Sequence, residues 1–290
     1  MTVSLIVNPA AGGGRAGRAL AAVQDALRGL DIEHHVEPTR DLAHARELAR
    51  LAAARGETAV AFGGDGLVGA VAGALKHTQG VMGVLPGGRG NDFARMLGIP
   101  LQPRAACATL ASGVVRSLDL GQAGAQTFTG IASCGFDSVC NRIANETRLV
   151  RGDRVYVYSA LRALAGWKPA TFTVTLGDGE TRTVTGYSVA AANSRTYGGG
   201  MLLAPDASLQ DGMVDVVIIS HVSKLRFLRL LPTVFKGEHV RQPNVHVART
   251  AEVEIQADRP FTLYADGDPV TELPVTIRAL PAAVRVLVPR

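Results

Sequence analysis

The 290-residue sequence is poor in cysteine, with three, and in aromatic residues, which make up 5% of the chain. Cys107, Cys134 and Cys140 are odd in number and lack metal-ligand spacing, so both a disulfide framework and a sulfur-ligated metal are disfavoured. We expect reduced, buried thiols. No run of about 18 uninterrupted apolar residues occurs, which argues against a membrane-spanning helix.

Charge of either sign is also modest, with a formal net charge of +5. Such a balance favours attraction to phosphates or anionic surfaces. No motif or aromatic-rich basic run typical of nucleic-acid binding is present, so we expect no nucleic-acid partner. The opening "MTVSLIVNPA" lacks the basic start of a signal peptide. We therefore expect a cytoplasmic protein, with peripheral membrane contact and a homodimer left open.

The first half of the chain alternates short apolar runs with helical stretches. "TVSLIVN" ends at Pro9, and the residues after the following glycines place leucine and valine at helical spacing. The same order recurs three times, and two of the later strands end in a glycine loop. This alternation predicts a Rossmann-like, doubly wound, mostly parallel sheet, whose ligands bind beyond the carboxyl ends of the strands.

The second half changes to strand-like runs separated by Gly, Pro and Asp, beginning after "LDLG" at residues 118–121. This pattern predicts a C-terminal antiparallel β-sandwich, interrupted by two helical stretches at residues 136–148 and 222–237. This change in pattern places the domain boundary near Gly121, with an α/β domain at residues 1–121 and a β-sandwich domain at residues 122–290.

The stretch "GGDG" at residues 63–66 lies between a buried strand and a helix. Glycines at a helix start leave backbone N–H groups free at the positive end of the helix dipole, where phosphate binds. Asp65 would repel phosphate unless it binds Mg²⁺, accepts a hydrogen bond or points away. On its own, the stretch is equally compatible with a tight turn.

Several further motifs occur in a fixed order along the chain. They are "NPAAGGGRA" at 8–16, "GGDG", "LPGGRGNDFAR" at 85–95, "LDLG", "NSRTYGGGMLLAPDASLQDGMVDVV" at 193–217 and "ADGDPV" at 265–270. Together they resemble the diacylglycerol kinase catalytic-domain family, in its soluble bacterial lipid-kinase branch. The resemblance extends over essentially the whole chain.

The resemblance implies transfer of the γ-phosphate of ATP to the hydroxyl of a diacylglycerol-like lipid, with Mg²⁺. It also implies the fold of NAD kinases and diacylglycerol kinases. Nucleotide-binding candidates are, in chain order, Asn8, Arg15, Thr39, Gly63, Gly64, Asp65, Gly66, Leu67, Val68, Gly69 and Arg89. Asp211, through its carboxylate, and Ser208 and Met213, through their carbonyls, match the Mg²⁺ site. Asp268 matches the catalytic acid position, with Asp266 as its orienting partner or substitute.

The chain departs from the family pattern in three places. Leu67, Val68 and Gly69 stand where the family has Thr and then Asn-Glu. Arg89 replaces a threonine, and its guanidinium can bind phosphate bidentately. Asp268 replaces a glutamate and keeps the carboxylate.

Two other functions stay open. A nucleotide- or lipid-binding protein without turnover would keep the loops, and an NAD kinase would share "GGDG" but needs the missing Asn-Glu pair. Structural roles also compete at several positions: Asp211-Gly212 and Asp266-Gly267 suit tight turns, Asn91 and Asp92 suit helix capping, and Asp119 suits a strand end as well as a water-mediated Mg²⁺ contact. The basic, apolar stretch at 224–236 suits either a membrane surface or packing on its own domain.

Overall fold

The computed structural model describes residues 1–147 and 154–290. It divides into two compact units. Unit 1 contains Met1–Leu120 and Pro281–Arg290, and unit 2 contains Gly121–Leu280. The sequence analysis assigned residues 281–290 to the second domain, whereas here they belong to unit 1, because the last strand pairs with a strand of that unit.

The strands are β1 Thr2–Val7, β2 Glu33–Pro38, β3 Thr58–Gly63, β4 Val81–Pro86, β5 Val114–Ala123, β6 Gln126–Phe128, β7 Ile131–Gly135, β8 Ala170–Leu176, β9 Thr181–Ala192, β10 Thr196–Tyr197, β11 Met201–Leu202, β12 Val214–Ser220, β13 Val245–Thr250, β14 Glu252–Ala257, β15 Thr262–Ala265, β16 Asp268–Glu272 and β17 Val275–Val288.

The helices are α1 Ala11–Gly29, α2 Leu42–Ala54, α3 Asp65–Ala74, α4 Asp92–Met96, α5 Pro103–Ser112, α6 Phe136–Glu146, α7 Arg154–Gly166 and α8 Lys224–Leu230. Two short 3-10 helices follow α8 at Leu231–Lys236 and Glu238–Arg241. No helix of residues 1–147 and 154–290 is both long enough and apolar enough to cross a membrane.

Unit 1 contains the predicted parallel sheet, in the strand order β2, β1, β3, β4, with the end of β17 parallel to β4. Strand β3 is buried along its whole length, which explains why "TAVAFG" reads as an unbroken small and apolar run. Helices α1, α2 and α3 each bury an apolar face that contains alanine and leucine, and α1 and α3 also bury valine. The sequence had predicted this alternation, and the fold confirms it.

Unit 2 is built around the long strand β9, whose pairings are all antiparallel. Its first half pairs with β8, and its second half lies between β7 and β12. Both faces of this part of the sheet are buried: Cys134 and Val189 belong to one apolar cluster, whereas Ile131 and Ala190 belong to another. Burial on both faces explains the continuous small apolar run "SVAAA".

An aromatic cluster joins helices α6, α7 and α8 to the sheet of unit 2. Tyr187 of β9 stacks on Phe227 of α8 at a centroid distance of 4.1 Å and on Trp167 at 6.1 Å. Phe136 packs edge-on against all three rings. Aromatic contacts of this kind stabilise beyond their buried area, and here they fix where the three helices lie.

Two helices were not assigned from the sequence, α5 and α7. Helix α5 begins with Pro103 at its first position, a typical helix start. Helix α7 carries β-branched and aromatic residues in "RVYVYSALRALAG", which weaken the helical signal. The predicted helix at 136–148 is present as α6, and Arg148 lies outside the described residues.

Candidate functional site

Three glycine-containing loops meet at one edge of unit 1. They follow β1, β3 and β4, which are neighbouring parallel strands, so their carboxyl ends lie side by side. Gly87 N–H donates to Gly63 O at 2.7 Å, and Asn8 N–H donates to Phe62 O at 3.1 Å. The sequence predicted glycine loops at this edge, and the structure places all three in direct contact.

The first loop needs glycine for two separate reasons. Three consecutive residues have a positive φ that side chains rarely adopt: Gly12 at 61°, Gly13 at 71° and Gly14 at 84°. In addition, a Cβ at Gly12 would lie 2.5 Å from Gly87 O. Asn8 closes the loop by accepting Ala10 N–H at 3.1 Å. Inside the loop, Ala11 N–H donates to Asn8 O at 3.0 Å and Gly14 N–H donates to Ala10 O at 3.1 Å, so backbone bonds also hold its shape.

The second and third loops approach each other through glycine backbones. A Cβ at Gly88 would clash with Gly64 Cα, and one at Gly64 would lie 3.3 Å from Gly88 Cα. Asn91 holds the third loop by accepting Gly88 N–H at 2.8 Å and donating to Gly88 O at 3.1 Å. A side chain at Gly88 would clash with the second loop, and one at Gly64 would make a tight contact with the third loop, so the two glycines let the backbones approach closely.

Asp65 accepts hydrogen bonds at the start of helix α4. Its Oδ1 accepts Phe93 N–H at 3.3 Å. Burial raises the pKa of the Asp65 carboxyl, whereas the backbone amides of Phe93, Asp92 and Asn91 oppose that rise by favouring the charged form. Of the three possibilities set out from the sequence, the structure therefore has the carboxylate accepting hydrogen bonds.

The same contact changes the interpretation of the helix cap. The sequence suggested Asn91 or Asp92 as the cap of α4, but Asn91 makes no side-chain cap bond and uses its amide on Gly88. Asp65, distant in sequence, accepts the amide instead. The sequence analysis did not predict that Asp65 caps α4, because a capping residue is expected directly before the helix that it caps.

Helix α3 determines which amides of the second loop remain open. Gly64 is its N-cap, and Val68 N–H already donates to Gly64 O at 3.1 Å. The side chains of Leu67 and Val68 are buried in the core, and Gly69 lies one turn inside the helix. The amides at the open end of this helix therefore belong to residues 65–67.

The remaining nucleotide candidates of unit 1 lie near the loop edge. Thr39 follows β2, and its amide donates to Val7 O at 2.8 Å. Arg15 and Arg89 are exposed, and no hydrogen bond or ion pair joins either guanidinium to another residue in the described part of the chain. Arg18, by contrast, donates to Gly13 O at 3.2 Å and braces the first loop.

Asp119 is buried in unit 1, and its Oδ1 accepts Ala282 N–H at 2.7 Å. Both residues lie where β5 runs beside β17. This bond supports the structural reading of Asp119, a polar residue that ties two strands together.

In unit 2, Asp266 anchors a hairpin turn to a neighbouring loop. Its Oδ2 accepts Thr129 N–H at 2.8 Å and Thr129 Oγ1–H at 3.1 Å, and its Oδ1 accepts Gly130 N–H at 2.9 Å and Ile131 N–H at 3.2 Å. Asn193 extends the network by donating to Thr129 O at 2.9 Å. A carboxylate with these four donors is fixed in orientation.

Asp268 follows that turn and begins strand β16. Asp266 and Gly267 form the two-residue turn, with φ of 51° and 92°, as expected of type I′. Asn145 of α6 donates to Gly267 O at 3.1 Å and holds the turn in place. Asp268 itself is exposed, and partial desolvation raises the pKa of its carboxyl. The two aspartates therefore differ: one is anchored, and the other faces outward.

The predicted metal ligands lie in a loop that precedes β12. Asp211 Oδ1 accepts Met213 N–H at 3.1 Å, and Ser208 Oγ accepts Gln210 N–H at 3.2 Å. Asp211 Oδ2 lies 3.7 Å from Arg249 Nη1, and Arg249 also forms a two-point contact with Asp215. One exposed carboxylate and two backbone carbonyls are oxygen donors of the kind that Mg²⁺ prefers, so this set fits the ion by chemistry.

Among residues 1–147 and 154–290, no group of three or more His, Cys, Asp or Glu side chains is arranged to hold a metal ion. The set at residues 208–213 includes a single such side chain, Asp211.

Asp137 is a buried carboxylate that the sequence analysis did not single out. It lies in the first turn of α6, beside Ser188. Burial raises the pKa of Asp137 to about 7, and the hydrogen bond to Ser188 opposes that rise.

Burial also raises the pKa of a cysteine, Cys134, to about 12. All three cysteines are free, with Cys107 and Cys134 buried and Cys140 half-buried.

A cavity of about 1090 Å³ opens between α6 and α7 of unit 2. Its apolar lining includes Val139, Ile143, Ala163, Trp167 and Phe261, and its cationic lining consists of Arg142, Arg162, Lys168 and Arg259. Arg259 lies over the rings of Trp167, at 5.6 Å, and Phe261, at 5.1 Å. The sequence analysis missed this cavity because its residues come from α6, α7 and the segment before β15, which share no local pattern.

Two domain models match the chain. The diacylglycerol kinase catalytic domain matches residues 2–123, and the YegS C-terminal NAD kinase beta sandwich-like domain matches residues 130–288. A protein named diacylglycerol kinase from Mycobacterium tuberculosis is 37% identical, with 99% of this chain and 95% of that protein covered. The diacylglycerol kinase of Bacillus subtilis is 28% identical, over 99% of this chain and 96% of that protein.

Solved structures support the fold alone. A diacylglycerol kinase from Bacillus anthracis is similar, with a TM-score of 0.78 and 20% identity, over 99% of this chain and 96% of that one. An NAD kinase from Archaeoglobus fulgidus, solved in complex with ATP, has a TM-score of 0.52 at 14% identity, over 99% and 93%. The matching domain models and the identity over nearly the whole chain lead to one conclusion: the chain belongs to the diacylglycerol kinase family.

Proposed function

We propose that this protein transfers the γ-phosphate of ATP to the hydroxyl of a diacylglycerol-like lipid. The observation that carries the proposal is the meeting of three glycine loops at the carboxyl ends of β1, β3 and β4. Glycines at the contacts between the loops would let phosphate approach the backbone, and the amides of residues 65–67 would provide donors at a helix start. Asp65 is compatible with this role because its carboxylate is held by the amides of α4.

Side chains around the loops would complete the nucleotide site. Arg15 and Arg89 are exposed and available to phosphate oxygens. Thr39 and Asn8 lie at the ends of β2 and β1, where the base or ribose would bind. Gly63, Gly64 and Gly66 allow close approach, whereas Leu67, Val68 and Gly69 contribute through the helix that they build.

Asp211, with the carbonyls of Ser208 and Met213, would hold Mg²⁺. When bound, this ion supplies positive charge that offsets the charge of the phosphates. The turn that Asp211 makes with Met213 orients the carboxylate. Arg249 Nη1 lies 3.7 Å from Asp211 Oδ2, so the guanidinium balances the charge of this carboxylate.

Asp268 would accept the proton of the lipid hydroxyl. As that oxygen forms its bond to the γ-phosphorus, the bond from phosphorus to the β,γ-bridging oxygen breaks, ADP leaves, and the hydroxyl proton passes to the Asp268 carboxylate. Asp266 would act as the orienting partner, because its four hydrogen bonds fix the turn that carries Asp268. The outward position of Asp268 supports its choice over Asp266.

The cavity between α6 and α7 would take the apolar part of the lipid. Its aromatic and aliphatic side chains suit hydrocarbon, its four cations suit the polar end of the lipid, and its volume of about 1090 Å³ is slightly above the usual range of small-molecule sites. A lipid alcohol, which has both an apolar part and a polar end, therefore fits the lining of this cavity.

The test is transfer of label from γ-labelled ATP, with Mg²⁺, to a panel of acceptors: diacylglycerol, monoacylglycerol, ceramide, a sphingoid base and NAD. We expect a labelled phospholipid from diacylglycerol or a close analogue. Labelling of NAD alone would make the protein an NAD kinase. ATP binding with no labelled acceptor would make it a binding protein without turnover, and either result would overturn the proposal.

A further inference from the structure

The segment from Lys224 to Lys236 contains apolar side chains that the fold leaves uncovered. Leu225 is 60% exposed, Leu228 36% and Phe235 56%. Phe227 and Val234 of the same segment are buried, so they already provide its packing against unit 2. The three exposed side chains are therefore apolar groups of this segment that the fold of unit 2 leaves open to solvent.

The same segment carries positive charge and no acidic residue. Its cations are Lys224, Arg226, Arg229 and Lys236. Lys224 is already used, because its Nζ donates to Ala165 O at the end of α7. Arg226, Arg229 and Lys236 are exposed. Exposed leucine and phenylalanine mixed with three cations are the composition of a segment that lies in a lipid headgroup region.

The segment also adjoins the cavity. The Lys224 contact joins the start of α8 to the last turn of α7, and Gly166 and Trp167 at that end of α7 line the cavity. Phe227 stacks on Tyr187, which in turn stacks on Trp167. A lipid bilayer in contact with α8 would therefore lie beside the cavity in which we place the lipid chain.

We infer that this segment is a docking surface for an anionic lipid bilayer. The surface consists of three apolar residues, Leu225, Leu228 and Phe235, and three cations, Arg226, Arg229 and Lys236. The apolar side chains enter the headgroup region, and the cations pair with anionic headgroups. A second copy of this chain is a poor occupant, because a two-fold contact would bring the same three cations against themselves. The inference rests on the proposed function only in that a lipid acceptor resides in a bilayer.

Vesicle cosedimentation tests the inference without any turnover. The full chain is mixed with vesicles of phosphatidylcholine alone or of phosphatidylcholine with a minority of phosphatidylglycerol. We expect tighter binding to the anionic vesicles, and a loss of that preference as salt screens the charges.

Two triple variants separate the two contributions. Arg226→Gln, Arg229→Gln and Lys236→Gln together should weaken binding to anionic vesicles about a hundredfold, since each basic residue near such a surface contributes about fivefold. Leu225→Ser, Leu228→Ser and Phe235→Ser together should weaken binding to both kinds of vesicle by about tenfold or more. Lys224, Phe227 and Val234 stay unchanged because they hold the segment in place.

A matched control uses exposed apolar residues of unit 1. Leu51→Ser with Val115→Ser removes side chains that are 46% and 43% exposed, and vesicle binding should not change. Unchanged melting temperatures show that all variants fold. Equal binding of wild type to both vesicle types, wild-type binding by either triple variant, or a dimer lost in the leucine and phenylalanine variant would overturn the inference. A protein that phosphorylates a water-soluble short-chain diacylglycerol but ignores vesicles would overturn it while leaving the proposed function standing.

Discussion

The loop edge of unit 1 and the aspartate-rich turns of unit 2 are built by opposite means. In unit 1, glycines let the backbones of the loops approach closely. The acidic residue of the second loop, Asp65, accepts a hydrogen bond from the backbone amide of Phe93 in α4. In unit 2 the proposed functional groups are carboxylates: Asp266 is anchored by four donors, Asp211 accepts Met213 N–H and lies 3.7 Å from Arg249, and Asp268 faces outward. A ligand would be held by backbone in the first region and by charged side chains in the second.

This difference predicts that the two regions respond to different kinds of substitution. A backbone site fails when a Cβ is added, because the loops must move apart. A carboxylate site fails when the charge is removed at constant shape. Three of the following variants alter these two regions, and a fourth alters the buried carboxylate of Asp137 in unit 2; the largest expected effect comes first.

Asp268→Asn should lower kcat by a factor of about 10² to 10⁴, the usual contribution of a positioned base. The raised pKa of Asp268 also sets a pH dependence. Because only the ionised carboxylate accepts a proton, kcat/KM should fall as pH drops through a pKa above the ordinary aspartate range. Steady-state rates across pH measure both effects.

The control for that variant is Asp178→Asn, which alters another turn aspartate of unit 2 that accepts Glu180 N–H at 2.9 Å. It should leave kcat unchanged. If Asp268→Asn turns over like wild type, then the role passes to Asp266, and a fully active double variant would remove the turn from the mechanism.

Asp137→Asn should stabilise unit 2 above neutral pH by an amount on the order of a few kcal/mol. Burial raises the pKa of Asp137 from the ordinary 3.8 to about 7 in the folded state, so folding favours the protonated carboxyl. The stability of the wild-type protein is therefore not reduced by Asp137 below the unfolded pKa, where the carboxyl is protonated in both states. This contribution is lost as pH rises through the folded pKa, because folding then no longer keeps the proton. The stability advantage of Asp137→Asn over wild type should therefore grow from pH 5 to pH 8 in denaturant titrations, and an advantage independent of pH would contradict this account.

Gly88→Ala should raise the KM for ATP by about 10- to 100-fold, because a Cβ there would clash with Gly64 Cα and force the two loops apart. The matched control is Gly29→Ala, where a Cβ would meet nothing within 4 Å. Steady-state kinetics at saturating lipid measure the change. Equal KM values for Gly88→Ala and wild type would mean that the contact between the loops has no part in nucleotide binding.

Arg89→Thr should raise the KM for ATP by about tenfold, the value of a charge-assisted hydrogen bond to phosphate. Arg28→Thr, which removes an exposed arginine paired with Asp25, should have no effect. An unchanged KM in Arg89→Thr would leave Arg89 as a surface residue beside the third loop.

The sequence predicted the elements whose signals are local. Alternating apolar and helical stretches indicated the parallel sheet of unit 1, and glycines after two strands indicated loops at its carboxyl edge. The family motifs carried the resemblance that the domain models later bore out. All of these features occupy short, continuous stretches of the chain.

Features built from distant residues could not be predicted in this way. Asp65 caps α4, which begins at residue 92, and Asp266 binds the amides of residues 129–131. The cavity residues of unit 2 extend from Val139 to Phe261. In each case the partners meet only through the tertiary fold, so no spacing in the sequence indicates them.

The last strand gives a third example. Strand β17 begins beside β14 and ends parallel to β4. Pro281 interrupts its sequence between "VTIRAL" and "VRVLVP", but neither run indicates the strand with which it pairs. For this reason residues 281–290 were assigned with the strands that precede them.

The central claim is that unit 1 binds the nucleotide by backbone, whereas unit 2 supplies the proton acceptor. Calorimetric titration of ATP into wild type, Gly64→Val and Asp268→Asn, in the presence of Mg²⁺, tests it most directly. The account predicts wild-type affinity for Asp268→Asn and an affinity at least about tenfold weaker for Gly64→Val, whose side chain would occupy the space between the loops. A folded Gly64→Val protein that binds ATP as tightly as wild type would contradict it.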